Sequence, residues 1–190
     1  MRLKLSKSFI FLIGSVLLAG IMAFFYFDSR SNSVLLEEVG LGEAAKLANA
    51  ISDQLHTSMR LGGGRHENRA IIERFKNIDG IEDIRIVHGP SVDRQFGLEP
   101  DEAPTDDLDM AALSGGPSTR VSRSANGYMV ARNVMPSFFE KSCLACHAGK
   151  PGDVAGAVSV TVSMEEYERI IAGHRVKFFI WGGGILLATA

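Results

Sequence analysis

The sequence predicts an α+β domain, a small antiparallel sheet with flanking helices, lying between two apolar terminal segments. Three observations carry this reading. An uncharged run from Phe9 to Phe27 follows a basic leader of Arg2, Lys4 and Lys7, and a second apolar block, FFIWGGGILLATA, fills 178 to 190. Between them, helical spacing of apolar residues gives way to two-residue alternation and then returns, which places helices first, strands next and a helix last. The strand-like runs STRVSRSA and YMVARNVM flank Asn126-Gly127, a type I′ turn dipeptide, and are expected to form a hairpin.

The chain has 190 residues, room for one ordinary domain and its attachments. A net charge of −2 and a pI near 6.2 give no electrostatic case for a nucleic-acid partner. Hydrophobic residues make up 46%, an ordinary share, but they are concentrated at the two ends.

As a helix the Phe9–Phe27 run covers about 28 Å, enough to cross a bilayer core. A cleaved signal peptide is the competing reading. It would have a shorter apolar region and a small-x-small cleavage site, whereas Phe24-Phe25-Tyr26-Phe27-Asp28 follows here. Residues 1–29 are therefore expected to be an uncleaved transmembrane anchor. The basic leader then stays in the cytoplasm, and the main domain, 30–175, lies in the periplasm on the far side of the inner membrane. Residues 176–190 are too few to span. They are expected to begin a second transmembrane helix of a longer chain, the alternative being a short C-terminal foot.

Within the domain, Leu36, Val39, Ala44, Ala48, Ile51, Leu55 and Met59 form a helical stripe over 33–59, weakened early by Gly40 and Gly42. The stretch LGGGRH at 61–66 breaks it. A second helix is expected over 67–77, with Ile71, Ile72 and Phe75 on one face. Asp79-Gly80 marks a turn, and in IEDIRIVHG the residues Ile84, Ile86 and His88 alternate with Arg85 and Val87 as a strand. The acidic, proline-broken stretch at 99–109 reads as a solvated loop leading into a short helix over 105–113. The hairpin comes next, and then DVAGAVSVTVS as a mostly buried strand. MEEYERIIAGHRVKFF is the closing helix. A small sheet packed by helices between two membrane segments suggests a PAS-like or Cache-like extracytoplasmic domain.

Both cysteines of the chain fall in SCLACHAGKPGD, residues 142–153. A disulfide between Cys143 and Cys146 would close a very small loop and restrict the unfolded chain little. A thioredoxin-like pair normally opens a helix after a strand in a βαβ setting, which the hairpin surroundings do not supply. Zinc needs four ligands. Cys143, Cys146 and His147 offer three, two of them adjacent. The pattern C-x-x-C-H is the signature of c-type haem attachment. Cys143 and Cys146 are spaced to form thioethers to the two vinyl groups, and His147 is placed to be the proximal iron ligand. Thioether attachment also suits an exported domain.

The strings IRIVHGPSVDRQFG and ARNVMPSFFEKSCLACHAGKPGDVAGAVSVTVSMEEY resemble the haem-c-containing PAS-like periplasmic sensor domains of bacterial chemotaxis receptors and related signal-transduction proteins. The resemblance covers about 80–168. It runs through the QFG-like turn, the C-x-x-C-H motif and the strand carrying Gly152, Asp153, Gly156, Ala157 and Ser159. It implies one covalent haem c, a domain between two transmembrane helices, and a cytoplasmic output region, which would lie beyond residue 190.

The sixth iron position decides between sensing and electron carriage. Candidates are His56, Met59, His66, His88, Met129 and Met135. Family members draw a distal Met from the helix before the sheet, so Met59 ranks first, with His56 next and an open site close behind. For any one of these methionines, core packing is the plain alternative. Arg85, Arg94 and Arg132 are candidates to pair with a haem propionate, or are simply exposed strand arginines. Phe138 and Phe139 either pack on the porphyrin or anchor the loop in the core.

The expected function is a membrane-anchored haem-c sensor for redox state or a diatomic gas, dimeric through its helices. A tethered c-type cytochrome exchanging electrons with a redox partner is the alternative. A haem enzyme such as a peroxidase would need a distal acid–base pair, and His56 has no evident partner for that role, so no enzyme activity is expected.

Overall fold

The computed structural model describes residues 7–174 and 176. The chain divides between Glu38 and Val39 into two compact units. One helix, α1, runs Lys7–Arg60 through both. The sequence suggested an anchor ending near 29 and a fresh helix from 33. The intervening residues instead continue the helix, because they contain neither Gly nor Pro, and Ser33 Oγ donates back to Ser29 O at 3.0 Å.

In the first unit, Phe11, Val16, Leu17, Leu18 and Met22 are all exposed. Among the described residues, α1 is the one helix long and apolar enough to cross a membrane by length and composition. The expected second span, 178–190, lies outside the described residues.

In the second unit the elements follow in order: α2 (Arg65–Lys76), β1 (Ile81–His88), α3 (Pro90–Phe96), α4 (Asp107–Leu113), β2 (Ser118–Arg123), β3 (Met129–Phe138), a 3₁₀ turn (Lys141–Ala145) and β4 (Val154–Ser163). Residues 165–174 form a closing helix, α5. The four strands make one antiparallel sheet in the order β1-β4-β3-β2. This is the α+β architecture expected, a small sheet with flanking helices.

Register sorts the strand residues onto two faces. Arg85 lies opposite Ser159, Ser159 opposite Val134, and Val87 opposite Ala157. This face is covered by α4, and Val87, Val134 and Ala157 pack with Leu108 and Ala112 as one buried cluster. The other face carries Ile84, Val158, Val160 and Ala131, all buried. Along α1, Ala44, Ala48, Ile51 and Leu55 are buried at spacings of three and four, the stripe that the sequence shows.

Two contacts fix how α1 runs over this second face. A Cβ added at Gly40 would lie 2.9 Å from Ala131 Cβ and 3.1 Å from Met164 Sδ, and His56 Nε2 is 2.9 Å from Ser137 Oγ. Gly40 to His56 is about 24 Å of helix and Ala131 to Ser137 about 20 Å of strand, so α1 travels alongside β3 in the same direction. Gly40, which by propensity weakens the helix, is what lets the helix approach the sheet. Gly40→Val is expected to lower stability by about 1–3 kcal/mol through overpacking, read as a fall in the urea midpoint at unchanged m-value.

The hairpin is present, but its turn is not type I′. That type needs positive φ at both central residues. Here Gly127 has φ 85° and no non-glycine residue has positive φ. Gly127 N donates to Ser124 O at 2.9 Å, which makes the longer turn with a single left-handed glycine. The helix α3 went unread in the sequence. Its seven residues are too short for periodicity, although the pair Gly89-Pro90, N-cap and first turn, is a helix-start signal.

Candidate functional site

The site is built where β3 ends. The register of β3 on β4 shifts between Ser137 and Phe138, and such a bulge re-aims the chain leaving a sheet. Phe138 then points towards the α4 side, its ring 3.9 Å from where a Cβ on Gly115 would stand, and is 41% exposed. Phe139 is 3% exposed. Its backbone is clamped by Phe139 N to Asp153 O and Gly152 N to Phe139 O, both 2.9 Å, which closes the segment 140–152 into a loop. Gly149 makes room for the Phe139 ring, since a Cβ there would lie 2.6 Å from Phe139 Cε2. Phe139 is thus the core anchor of the loop.

Inside the loop, the 3₁₀ turn ends with Cys146 N and His147 N both donating to Cys143 O, at 3.1 and 2.9 Å. Both cysteines are free thiols, Cys143 half-buried and Cys146 exposed. The His147 ring meets Phe96 edge-on with centroids 5.1 Å apart and lies tilted against Phe139 at 5.7 Å. Burial, then the neighbouring His88, pushes its pKa below the usual histidine value. His147 Nδ1 is buried without a hydrogen-bond partner.

One residue missed in the sequence holds this arrangement. Gln95 Nε2 donates to Cys146 O, and Ala148 N donates to Gln95 Oε1, both at 2.7 Å. A single side-chain amide therefore brackets His147 through the backbone on either side, while its neighbour Phe96 packs on the ring. The sequence offered QFG only as part of a pattern. Glutamine side chains reach too many kinds of partner for the role to be read from residue type.

Other candidates fall into separate places. Arg85 and Arg132 are not free to meet a propionate: both point into Asp109 on the α4 face, at 2.6 and 2.5 Å. The cause is electrostatic, because Asp109 has no solvent exposure and its carboxylate needs cations. Arg94, on α3, is exposed and pairs with no carboxylate among the described residues. Met129 is buried and Met135 half-buried in β3. His66 lines a shallow recess on α2 with Arg65, Arg69, Ala70 and Glu73, which includes none of the C-x-x-C-H residues. His56 bonds Ser137. Met59 is half-buried in the last turn of α1, whose end reaches the loop through Arg60 and Glu140 at 3.5 Å.

The donor set fits covalent haem. Two unpaired sulfurs and an imidazole that favours its neutral form share one short turn, and the ring is already held by two aromatic side chains. Phe96, half-exposed at 48%, leaves apolar surface beside His147 for a porphyrin to cover. A tetrahedral metal is less well served. Among the described residues no three His, Cys, Asp or Glu side chains converge on a common point.

The lowered pKa of His147 gives a checkable sign. In haem-free protein, histidine NMR should show it titrating below 6.5, the value its unfolded state would have. Because the unfolded state then binds the proton first, its contribution makes stability fall as pH drops from about 6.5 through the folded value.

No family model matches the chain, and no curated protein does. Among solved structures, it is similar to the ligand-binding domain of the Pseudomonas aeruginosa PAO1 amino acid chemoreceptor PctC, solved in complex with GABA. The identity is 12% and the TM-score 0.47, over 76% of this chain and 63% of that one. This chain therefore spans less than two thirds of that domain's length.

Proposed function

We propose that the second unit is an extracytoplasmic sensor module that would hold one haem c, with Cys143 and Cys146 as its points of covalent attachment and His147 as the side chain that would ligate the iron. The observation that carries the reading is the loop itself: two free thiols and a half-buried imidazole on one turn, clamped by Gln95, Phe96 and Phe139. The haem supplies, when bound, a redox couple and an iron position open to ligand exchange. The apolar first unit is the membrane anchor, and the strand order β1-β4-β3-β2 with helices between β1 and β2 supports a PAS-like or Cache-like sensor domain.

The chain's own part is to couple the loop to the helices. Gln95 and Phe96 tie His147 to α3, and Glu140 ties the start of the loop to Arg60 at the end of α1. A displacement of the loop is thereby felt by a helix that runs unbroken to Lys7. Homodimerisation through such helices belongs to the same proposal.

The test is expression in a host that matures c-type cytochromes. The expected product keeps its Soret absorption after denaturation and acid extraction, and its spectrum changes with reduction or with added CO or NO. Free thiols and no Soret band would overturn the haem assignment. A retained haem whose coordination is fixed in both oxidation states and blind to gas would instead favour a tethered electron carrier.

A further inference from the structure

Resting on the haem reading, we infer that His147 would be a weak, releasable iron ligand, because the proton that ligation through Nε2 forces onto Nδ1 has no acceptor there. The two ring nitrogens stand in different surroundings. Nδ1 is closed off from solvent and makes no hydrogen bond to any described residue. Nε2 is not closed off in this way, so it is the nitrogen that an outside group can reach.

What packs against the ring is apolar: Phe96 edge-on at 5.1 Å and Phe139 tilted at 5.7 Å. The polar groups of the loop are spent on each other. Gln95 Oε1 accepts from Ala148 N and Cys146 O accepts from Gln95 Nε2, both at 2.7 Å. Cys143 O already accepts from Cys146 N and from His147 N. His88 acts on the ring through charge and shares no hydrogen bond with it.

A neutral imidazole carries one proton, on either nitrogen. Orphaned buried N–H groups are rarer in proteins than orphaned acceptors. The haem-free ring therefore keeps its proton on Nε2, where water accepts it, and leaves Nδ1 bare against the two phenyl rings. An iron bond takes the lone pair of Nε2, so the proton must move to Nδ1 and become a buried donor without a partner, at a cost in free energy. Metal-ligating histidines almost always give this second N–H to a carboxylate, a backbone carbonyl or water, which also makes the ligating nitrogen more basic. His147 lacks both benefits. Its bond is the one that yields when a strong ligand takes the opposite side of the iron. The ring so freed is packed by Phe96, and its backbone is bracketed by Gln95, so the event is delivered directly to α3.

Two measurements on the full chain test this. In haem-free protein with isotope-labelled histidine, long-range proton–nitrogen NMR at neutral pH should show His147 as the Nε2–H tautomer, the signal being identified by its loss in His147→Asn. In haem-loaded protein, resonance Raman after photolysis of the CO complex should place the iron–histidine stretch at the low end of its range, where the second nitrogen donates to nothing. NO added to the ferrous protein should give a five-coordinate nitrosyl, with the three-line electron paramagnetic resonance spectrum of a lost histidine. The inference is overturned by an Nδ1–H tautomer, by a stretch at the high end of the range, or by a nitrosyl that stays six-coordinate. Any of these in protein that does attach haem leaves the parent reading standing, whereas failure to attach haem overturns both.

Discussion

Replacing Cys143 and Cys146 together by serine should abolish covalent haem in the matured protein, with the Soret absorption of the washed, denatured chain falling to background. The reason is chemical and does not depend on the fold. A thioether to a vinyl group needs a thiol, and the chain has seven methionines but only these two thiols. Both thiols are free, Cys146 exposed and Cys143 half-buried, and the one contact of Cys143 Sγ, accepting from Glu140 N at 3.4 Å, is one that a serine hydroxyl can also accept. The double variant should consequently fold with a urea midpoint within about 0.5 kcal/mol of the haem-free wild type. Each single serine variant should keep one attachment and a fraction of the haem, held less firmly. Gln95→Ala separates position from attachment: both thioethers should form, but the His147 ring loses its bracket, so the ligand-field bands should broaden and shift. A double serine variant that still carries covalent haem would sink the assignment, since no other side chain here offers that bond.

Most of the fold was legible because most of it is amphipathic. The stripe Ala44, Ala48, Ile51, Leu55 is buried as its spacing says, and DVAGAVSVTVS became β4 with Val158 and Val160 in the core. Three things were not legible, each for a physical reason. The continuity of α1 past residue 30 depends on a polar stretch staying helical, with Ser33 Oγ bonding back to Ser29 O, a choice that composition leaves open. The turn at Gly127 was misassigned because Asn-Gly serves more than one hairpin geometry. Arg85 and Arg132 read equally as propionate partners or as exposed strand arginines, because a charge on a strand looks the same whether it meets a propionate, solvent or a buried aspartate on the helix above the sheet. What separates these cases is Asp109, which in sequence is one acid among many in EPDEAPTDDLD. The cysteine motif needed no such context. Its meaning lies in covalent reactivity and contiguous spacing, both of which survive without a fold.

Asp109→Ala should be among the most destabilising single changes in the second unit, lowering its stability by about 3–5 kcal/mol. Asp109 is fully buried and accepts from Arg85 Nη2 at 2.6 Å, Arg132 Nη2 at 2.5 Å, Thr105 N at 2.8 Å and Thr105 Oγ1 at 3.0 Å. The two guanidinium groups come from β1 and β3 and reach one carboxylate on α4, so a single side chain pins the helix to two strands. Truncating it leaves two arginines, each 19% exposed, beside each other with less counter-charge. Arg132 retains Asp106 at 2.6 Å and Ser159 at 2.9 Å, whereas Arg85 keeps Thr105 Oγ1 at 2.9 Å and a distant Asp83 carboxylate at 3.8 Å. The larger part of the penalty should therefore fall on Arg85. This predicts a partial rescue: Arg85→Met in the Asp109→Ala background should recover stability, because a methionine there has no charge to leave unpaired, while Arg132→Met should recover less. Urea midpoints of the four proteins decide it. A loss below about 1 kcal/mol for Asp109→Ala would place the cluster among ordinary surface pairs. The network lies on the α4 face and the cysteine loop hangs from the end of β3, so variants that still fold should take up haem at the wild-type ratio, which separates damage to the scaffold from damage to the site.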